Sequence, residues 1–435
     1  MFDSIYIFLS ILNLFIFMRS WNFFNFLNPY VSFYIGFFLF VVFGGFYDGF
    51  ANLYEIDIEI KIAILISFYL ILFAGEIFKL FFLALKVNVN RFSKLSLLNE
   101  IDITSISKSF NFYMIMVFIL GVGLSIIAFS MMNVIPVFSS DVHVSRIEEL
   151  SGKGFLYHPS RILIFISITY FSLLYLKTSS ISLISLLVLI VIGFLILWGY
   201  AIRAEALKTI IYSIIMYLML KKISVSNLIL TILIFLSFFL FNGLMQYARH
   251  YSLSSLMSVD FAVLLEFGWA NVGHRFWVQL ENLQFIYRNI SEAELMGLTY
   301  INDLFIVLPG KSVTGGVILK EYIGLNFIGG GITPTILGEG YANFGLYFSL
   351  AFIFFFSLAL LFLYYWMYIF LLKRKNDFSV TYYASFFLIF SFSCYGFSSS
   401  TFVATIMMEL LPLVLIYSMV MLLYSLFSLS LSNVK

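Results

Sequence analysis

One cysteine in 435 residues, Cys394, leaves no partner for an internal disulfide and no Cys-based metal site, so it is expected to pack as a small apolar side chain inside a span. Only four histidines occur, His143, His158, His250 and His274. No two of them stand at the HxxxH spacing by which one helix face grips a metal, and no carboxylate cluster accompanies them, so no metal site is expected. Charged residues are scarce as well, at 11% of the chain with a net charge of +2. No Lys/Arg-rich block with interleaved aromatics is present, which removes support for nucleic-acid binding. Walker loop, dinucleotide fingerprint, nucleophile elbow and HExxH are all missing, so ATPase, oxidoreductase and metalloprotease readings have no motif and no cofactor is expected.

The chain is instead 62% hydrophobic, with a mean hydropathy of +1.05, far above what a solvated surface allows. That composition marks an integral membrane protein. A span needs roughly 20 apolar residues, so about ten or more fit. The first apolar run, IYIFLSILNLFIFM, follows Asp3 and lacks a small-residue cleavage site, so it is read as a retained helix.

Apolar runs near 4–19, 29–47, 60–83, 109–131, 161–176, 181–199, 206–220, 224–244, 343–371, 380–395 and 402–427 give about eleven spans. Lys and Arg fall on alternate connections: Arg19, then Lys86 to Lys108, Lys177, Lys221 with Lys222, and Lys373 to Lys375. Positive charge stays on the cytoplasmic side, which puts the amino terminus outside and the carboxyl terminus inside. The expected fold is all-α, a polytopic membrane helix bundle with spans 1–8 in residues 1–244, one large outer loop with amphipathic helices at 245–342, and spans 9–11 in 343–435. No internal repeat is visible.

A loop of about a hundred residues invites a functional reading, because long ordered connections are uncommon without one. In its piece WANVGHRFWVQLENL, Trp269, Val272, Phe276 and Leu280 share one helix face, while Asn271, Arg275, Gln279 and Asn282 lie on another. Either this is an interfacial helix with a solvated face, or Arg275 belongs to a cationic lid. Arg203, Arg249 and Arg275 sit on the expected outer side, against the positive-inside tendency, and a guanidinium fork suits phosphate oxygens. His250 and His274 have the chemistry of a general base. Asp57 and Glu59 in YEIDIEI would be the acidic pair of a metal-dependent glycosyltransferase, or a solvated acidic loop. Glu409 stands alone in the last span, where an ionisable group is a site candidate.

The stretch 297–345 reads GLTYINDLFIVLPGKSVTGGVILKEYIGLNFIGGGITPTILGEGYANFG. Its glycines permit close backbone approach and an anion-binding nest, with Thr333 as an expected N-cap for a turn begun at Pro334 and Glu339 favoured near that helix start. The block resembles the signature of the bacterial O-antigen and capsule repeat-unit polymerases, the Wzy-type oligosaccharide polymerases. In that family a GxTYxxxL…P block, a Lys-containing bridge and a TPTxxGExYxNFG block follow one another in the large outer loop. Here they are Gly297, Thr299, Tyr300 and Pro309, then Lys311, then Thr333 to Thr335, Gly338, Glu339, Tyr341, Asn343, Phe344 and Gly345. An Arg pattern described for some members is absent after Arg275 and Arg288, so the arginine roles rest on topology.

The resemblance implies a GT-C-like bundle in the inner (cytoplasmic) membrane of a bacterium. Its implied activity is transfer of a growing glycan from undecaprenyl pyrophosphate to an incoming lipid-linked repeat unit. Implied partners are that lipid-linked oligosaccharide, the bilayer and a chain-length regulator protein. Arg203, Arg249, Arg275 and Lys311 would hold the substrate, Tyr341 and Asn343 would orient sugars or the loop, and Glu339, with His250 or His274 behind it, would be the base. Glu339 has a second reading, in which it only ties its own loop together. A flippase for the same lipid and an O-antigen ligase are the competing readings.

Overall fold

A backbone immersed in hydrocarbon must bond to itself, so runs this apolar fold as helices. The computed structural model describes residues 2–22, 25–46, 56–85, 107–139, 142–178, 180–220, 240–241, 243–244, 247, 259–306, 313–326, 331–374 and 379–432, with no strand among them. In chain order the helices are α1 (Phe2–Ser20), α2 (Pro29–Phe37), α3 (Ile58–Ala84), α4 (Lys108–Ser130), α5 (Val142–Leu150), α6 (Gly154–Thr178), α7 (Leu183–Gly199) and α8 (Arg203–Leu220). They continue as α9 (Phe261–Asn289), α10 (Leu298–Leu304), α11 (Gly315–Tyr322), α12 (Thr335–Phe344), α13 (Leu346–Lys373), α14 (Val380–Ser393), α15 (Phe402–Thr405) and α16 (Leu411–Ser432).

Among the described residues seven helical stretches are long and apolar enough to cross a bilayer. They are α1, α3, α4, α6, α13, α14 with its 3-10 extension to Ser398, and α15 continued through a π turn into α16. The chain is therefore a helical, multi-pass membrane protein. Helices occupy ten of the expected spans; the eighth, 224–244, falls mostly outside the described residues. Cys394 is buried at the end of α14, where its thiol donates to the Phe390 carbonyl.

One element departs from expectation. The amphipathic piece around Trp269 belongs to a single helix of 29 residues, α9. Trp269 is exposed, whereas Trp277, Leu280, Leu283 and Ile286 are buried, as are Gln279 and Asn282, which the sequence assigns to a solvated face. The reason is tertiary: the Asn282 amide donates to the Thr333 hydroxyl at 3.0 Å, so the polar face is covered by chain rather than water.

The chain divides into two compact units, each assembled from separated segments. The first takes Met1–Leu97, Gly273–Phe370 and Phe390–Leu410. Its α1, α2 and α3 pack through aromatic rings that carry their own hydrogen bonds. The Tyr30 hydroxyl donates to Ile71 O at 2.9 Å, that of Tyr34 to Asn13 at 2.7 Å, and that of Tyr6 to Val42 O at 3.0 Å. Such bonds fix how helices meet where lipid supplies no competing partner. Gly75 makes room for Tyr30, since a Cβ there would lie 2.5 Å from the phenolic oxygen. Gly75→Ala is expected to cost about 1–3 kcal/mol by overpacking, read as a lower unfolding temperature in detergent.

The second unit takes Leu98–Val272, Leu371–Ile389 and Leu411–Lys435. At its centre α6 is buried along most of its length. It lies close against α4, where Gly121 faces Leu163 and Ile164 and the hydroxyls of Ser125 and Ser160 meet.

Candidate functional site

The residues of the 297–345 block, separate in sequence, close on one another in the first unit. Gly297, at a φ of 87°, turns the chain into α10, which places Thr299 and Asp303 four residues apart on one helix face. Both are fully buried, as is Glu339 on α12, and Asn343 is 1% exposed.

Asn343 fixes the bonding order. Its amide donates to Thr299 Oγ1 at 2.8 Å and to the Glu339 carbonyl at 2.7 Å. With that acceptance made, the Thr299 hydroxyl directs its own proton to Glu339 Oε1 at 2.8 Å. The other carboxyl oxygen, Oε2, accepts the backbone N–H of Phe402 at 2.6 Å, tying the block to the start of α15. Asp303 Oδ1 accepts the Gly315 N–H at 2.7 Å, while its Oδ2 is buried with no hydrogen-bond partner. Burial drives the Glu339 carboxyl up to about 8, and the charge of Asp303 adds to this against the opposing bonds from Phe402 and Thr299. Burial thus favours the neutral acid at Glu339, both of whose oxygens are engaged inside the knot.

Glycines bring the rest of the block together. Gly316 and Gly331 cross with their backbones in contact, and Ile332 N–H donates to Gly316 O at 3.0 Å. Gly345, at a φ of 89°, breaks α12 from α13, and Glu292 accepts the Leu346 N–H there at 2.6 Å. Thr333 is not the expected cap: α12 starts at Thr335, after Pro334, and Thr333 is held by Asn282 instead. Tyr341 points away from the knot and stacks on Tyr287, ring centroids 4.0 Å apart. Tyr300 lies over Phe344 at 5.5 Å.

Of the expected site residues, Glu339 and Asn343 meet directly, and Tyr341 shares their helix. His274 is exposed on α9. Arg249, His250 and Lys311 lie outside the described residues, as do the side chains of Arg203 and Arg275, although both backbones are helical. Asp303 and the Phe402 amide are the members that sequence reasoning misses. For Asp303 a signal exists, its four-residue spacing from Thr299; for Phe402 there is none. In the second unit Glu205 and Lys208 pair as their spacing suggests, at 2.8 Å, and Arg161 joins them from α6 at 3.1 Å. Glu409 is half-buried in the π turn Ile406–Leu410.

Asp57, a candidate for an acidic metal pair, has both oxygens on Arg288, with Nε at 2.9 Å and Nη2 at 2.8 Å. That bidentate bond holds its carboxyl below the usual range, so its contribution is lost as pH falls through the lowered value. The pair is over 40% exposed and is worth about 0.2–1 kcal/mol. Asp57→Asn should lower stability by no more than that, with the difference shrinking at high salt in parallel melts. No group of three His, Cys, Asp or Glu able to hold a metal ion occurs among the described residues.

In comparisons with known proteins, no family profile, curated protein sequence or solved structure matches the chain.

Proposed function

We propose that the chain polymerises undecaprenyl-pyrophosphate-linked oligosaccharide repeat units at the outer face of the inner membrane. The observation that carries this reading is the convergence of Gly297, Thr299, Glu339 and Asn343. Residues from both ends of the block that resembles the Wzy-type polymerases are the ones that bond to each other in the folded chain.

The chemistry is a displacement at an anomeric carbon. The acceptor sugar oxygen forms the new glycosidic bond, the bond from that carbon to the lipid pyrophosphate breaks, and the electron pair leaves on the pyrophosphate. Cations on the leaving group and a base on the acceptor hydroxyl lower that barrier. Arg203, Arg249, Arg275 and Lys311 take the first duty, with the amino terminus outside and the carboxyl terminus in the cytoplasm. For the second, His274 is exposed where Glu339 is sealed, so the reading gives proton abstraction to His274 or His250 and gives Glu339 the shape of the block. Tyr341 and Asn343 hold that shape with it, and a chain-length regulator protein would be the external partner.

Gene deletion followed by a surface-glycan gel tests this. The expected pattern is a single capped repeat unit in the deletion strain, with a polymer ladder restored by the wild-type chain and shortened by His274→Ala at equal protein level if His274 is the base. An unchanged ladder in the deletion strain would overturn the proposal, and complete loss of surface glycan would replace it with a flippase.

A further inference from the structure

The knot around Glu339 contains a second carboxyl that the polymerase reading does not use. Asp303 and Glu339 are both 0% exposed, and among the described residues no Lys, Arg or His forms an ion pair with either. Their partners are a hydroxyl from Thr299 and the N–H groups of Phe402 and Gly315, none of which carries a charge. Among the described residues of the neighbouring elements, Lys320 and Glu321 stand on later turns of α11, and Arg288 on α9 bonds to Asp57. Tyr300 on α10 contributes a buried hydroxyl with no hydrogen-bond partner, and Tyr341 on α12 faces Tyr287. A carboxylate buried among uncharged donors and near a second carboxyl forfeits its hydration, so such a site favours the protonated form.

We propose that Glu339, held by the Thr299 hydroxyl one turn from Asp303 on α10 and by the Phe402 amide, keeps a proton in the closed knot and couples the docking of the 297–345 block on the start of α15 to pH. Thr299 joins the two carboxyls, because it sits on the Asp303 helix and donates to Glu339.

The direction follows from linkage. When the knot opens, the Glu339 carboxyl returns to water and titrates in the ordinary carboxylate range; when the knot is closed, Glu339 keeps its proton to higher pH. Closure is therefore strongest at acid pH and weakens as pH rises, until the buried group itself ionises. The coupling needs no step of the polymerase reading and survives its failure.

Hydrogen–deuterium exchange of the full chain in detergent, between pH 5.5 and 9.5, reads the opening directly at the Phe402 amide. After correction for intrinsic exchange, protection of the peptide containing Phe402 is expected to fall by up to about tenfold per pH unit and to level near pH 8. Glu339→Gln, which keeps the shape and cannot ionise, should abolish the slope. Asp303→Asn, which removes the neighbouring charge, should move the levelling point to lower pH. A flat profile in the folded wild type overturns the inference, as does a slope unchanged in Glu339→Gln or a levelling point unmoved by Asp303→Asn. Should Asp303→Asn fail to fold, the wild-type and Glu339→Gln profiles decide the matter.

Discussion

Glu339→Ala is expected to destabilise the first unit by roughly 3–5 kcal/mol. Each carboxyl oxygen serves a different element, Oε1 the Thr299 hydroxyl of α10 and Oε2 the Phe402 amide at the start of α15. Truncation leaves both donors buried without an acceptor, at about 1–3 kcal/mol each, and opens a void where the side chain was. No water competes, since Glu339 and Thr299 are fully buried. Glu339→Gln should lose less, because its carboxamide oxygen still receives one donor and its volume is unchanged. Thermal unfolding followed by size-exclusion chromatography in detergent orders the three chains. Equal melting of Ala and wild type would show that the knot does not hold the block. The comparison also bears on chemistry: a Gln variant that folds well and still makes full-length polymer removes Glu339 from proton abstraction.

The second large effect is expected at Gly331→Ala. A Cβ at this position would lie 2.2 Å from the carbonyl carbon of Gly316 and 2.4 Å from the amide nitrogen of Val317. These are backbone atoms, so no side chain can rotate aside, and the strand of chain leading into α12 would have to lift off α11. Overpacking usually costs about 1–3 kcal/mol, and a backbone-on-backbone clash belongs at or above the upper end. The Ile332 N–H bond to Gly316 O, at 3.0 Å, would be strained with it. Gly123→Ala is the matched control, as its Cβ would meet nothing within 4 Å in the middle of α4; there the helix gains by roughly 0.5–1 kcal/mol. A Gly331→Ala melt indistinguishable from that of the control would refute the close crossing.

What could be read from the chain beforehand was whatever repeats or aligns locally. Apolar runs place helices α1, α3, α4 and α13 close to their observed limits, because length and hydropathy alone decide whether a segment suits hydrocarbon, whereas α6 begins at Gly154, seven residues before its expected start. The i,i+3 spacing of Glu205 and Lys208 announces their ion pair, but Arg161 comes from a different helix and has no periodic signature. The same divide runs through the knot. Glu339 and Asn343 are four apart on one helix and stand out in the motif, whereas Phe402 enters through its backbone, 63 residues away, and backbone donors leave no mark on sequence. Trp269 illustrates the opposite error. Helical periodicity gives a face, but which face is covered depends on what packs there: α9 buries both Gln279 and Asn282, and Asn282 finds Thr333 as its partner.

The measurement that tests polymerase activity most directly is reconstitution. The purified full-length chain, placed in proteoliposomes with the undecaprenyl-pyrophosphate-linked repeat units of its own cell, is predicted to yield products spaced by one repeat and to release one undecaprenyl pyrophosphate per bond formed. Substrate that stays monomeric in the presence of folded protein, with no pyrophosphate lipid released, would contradict the account.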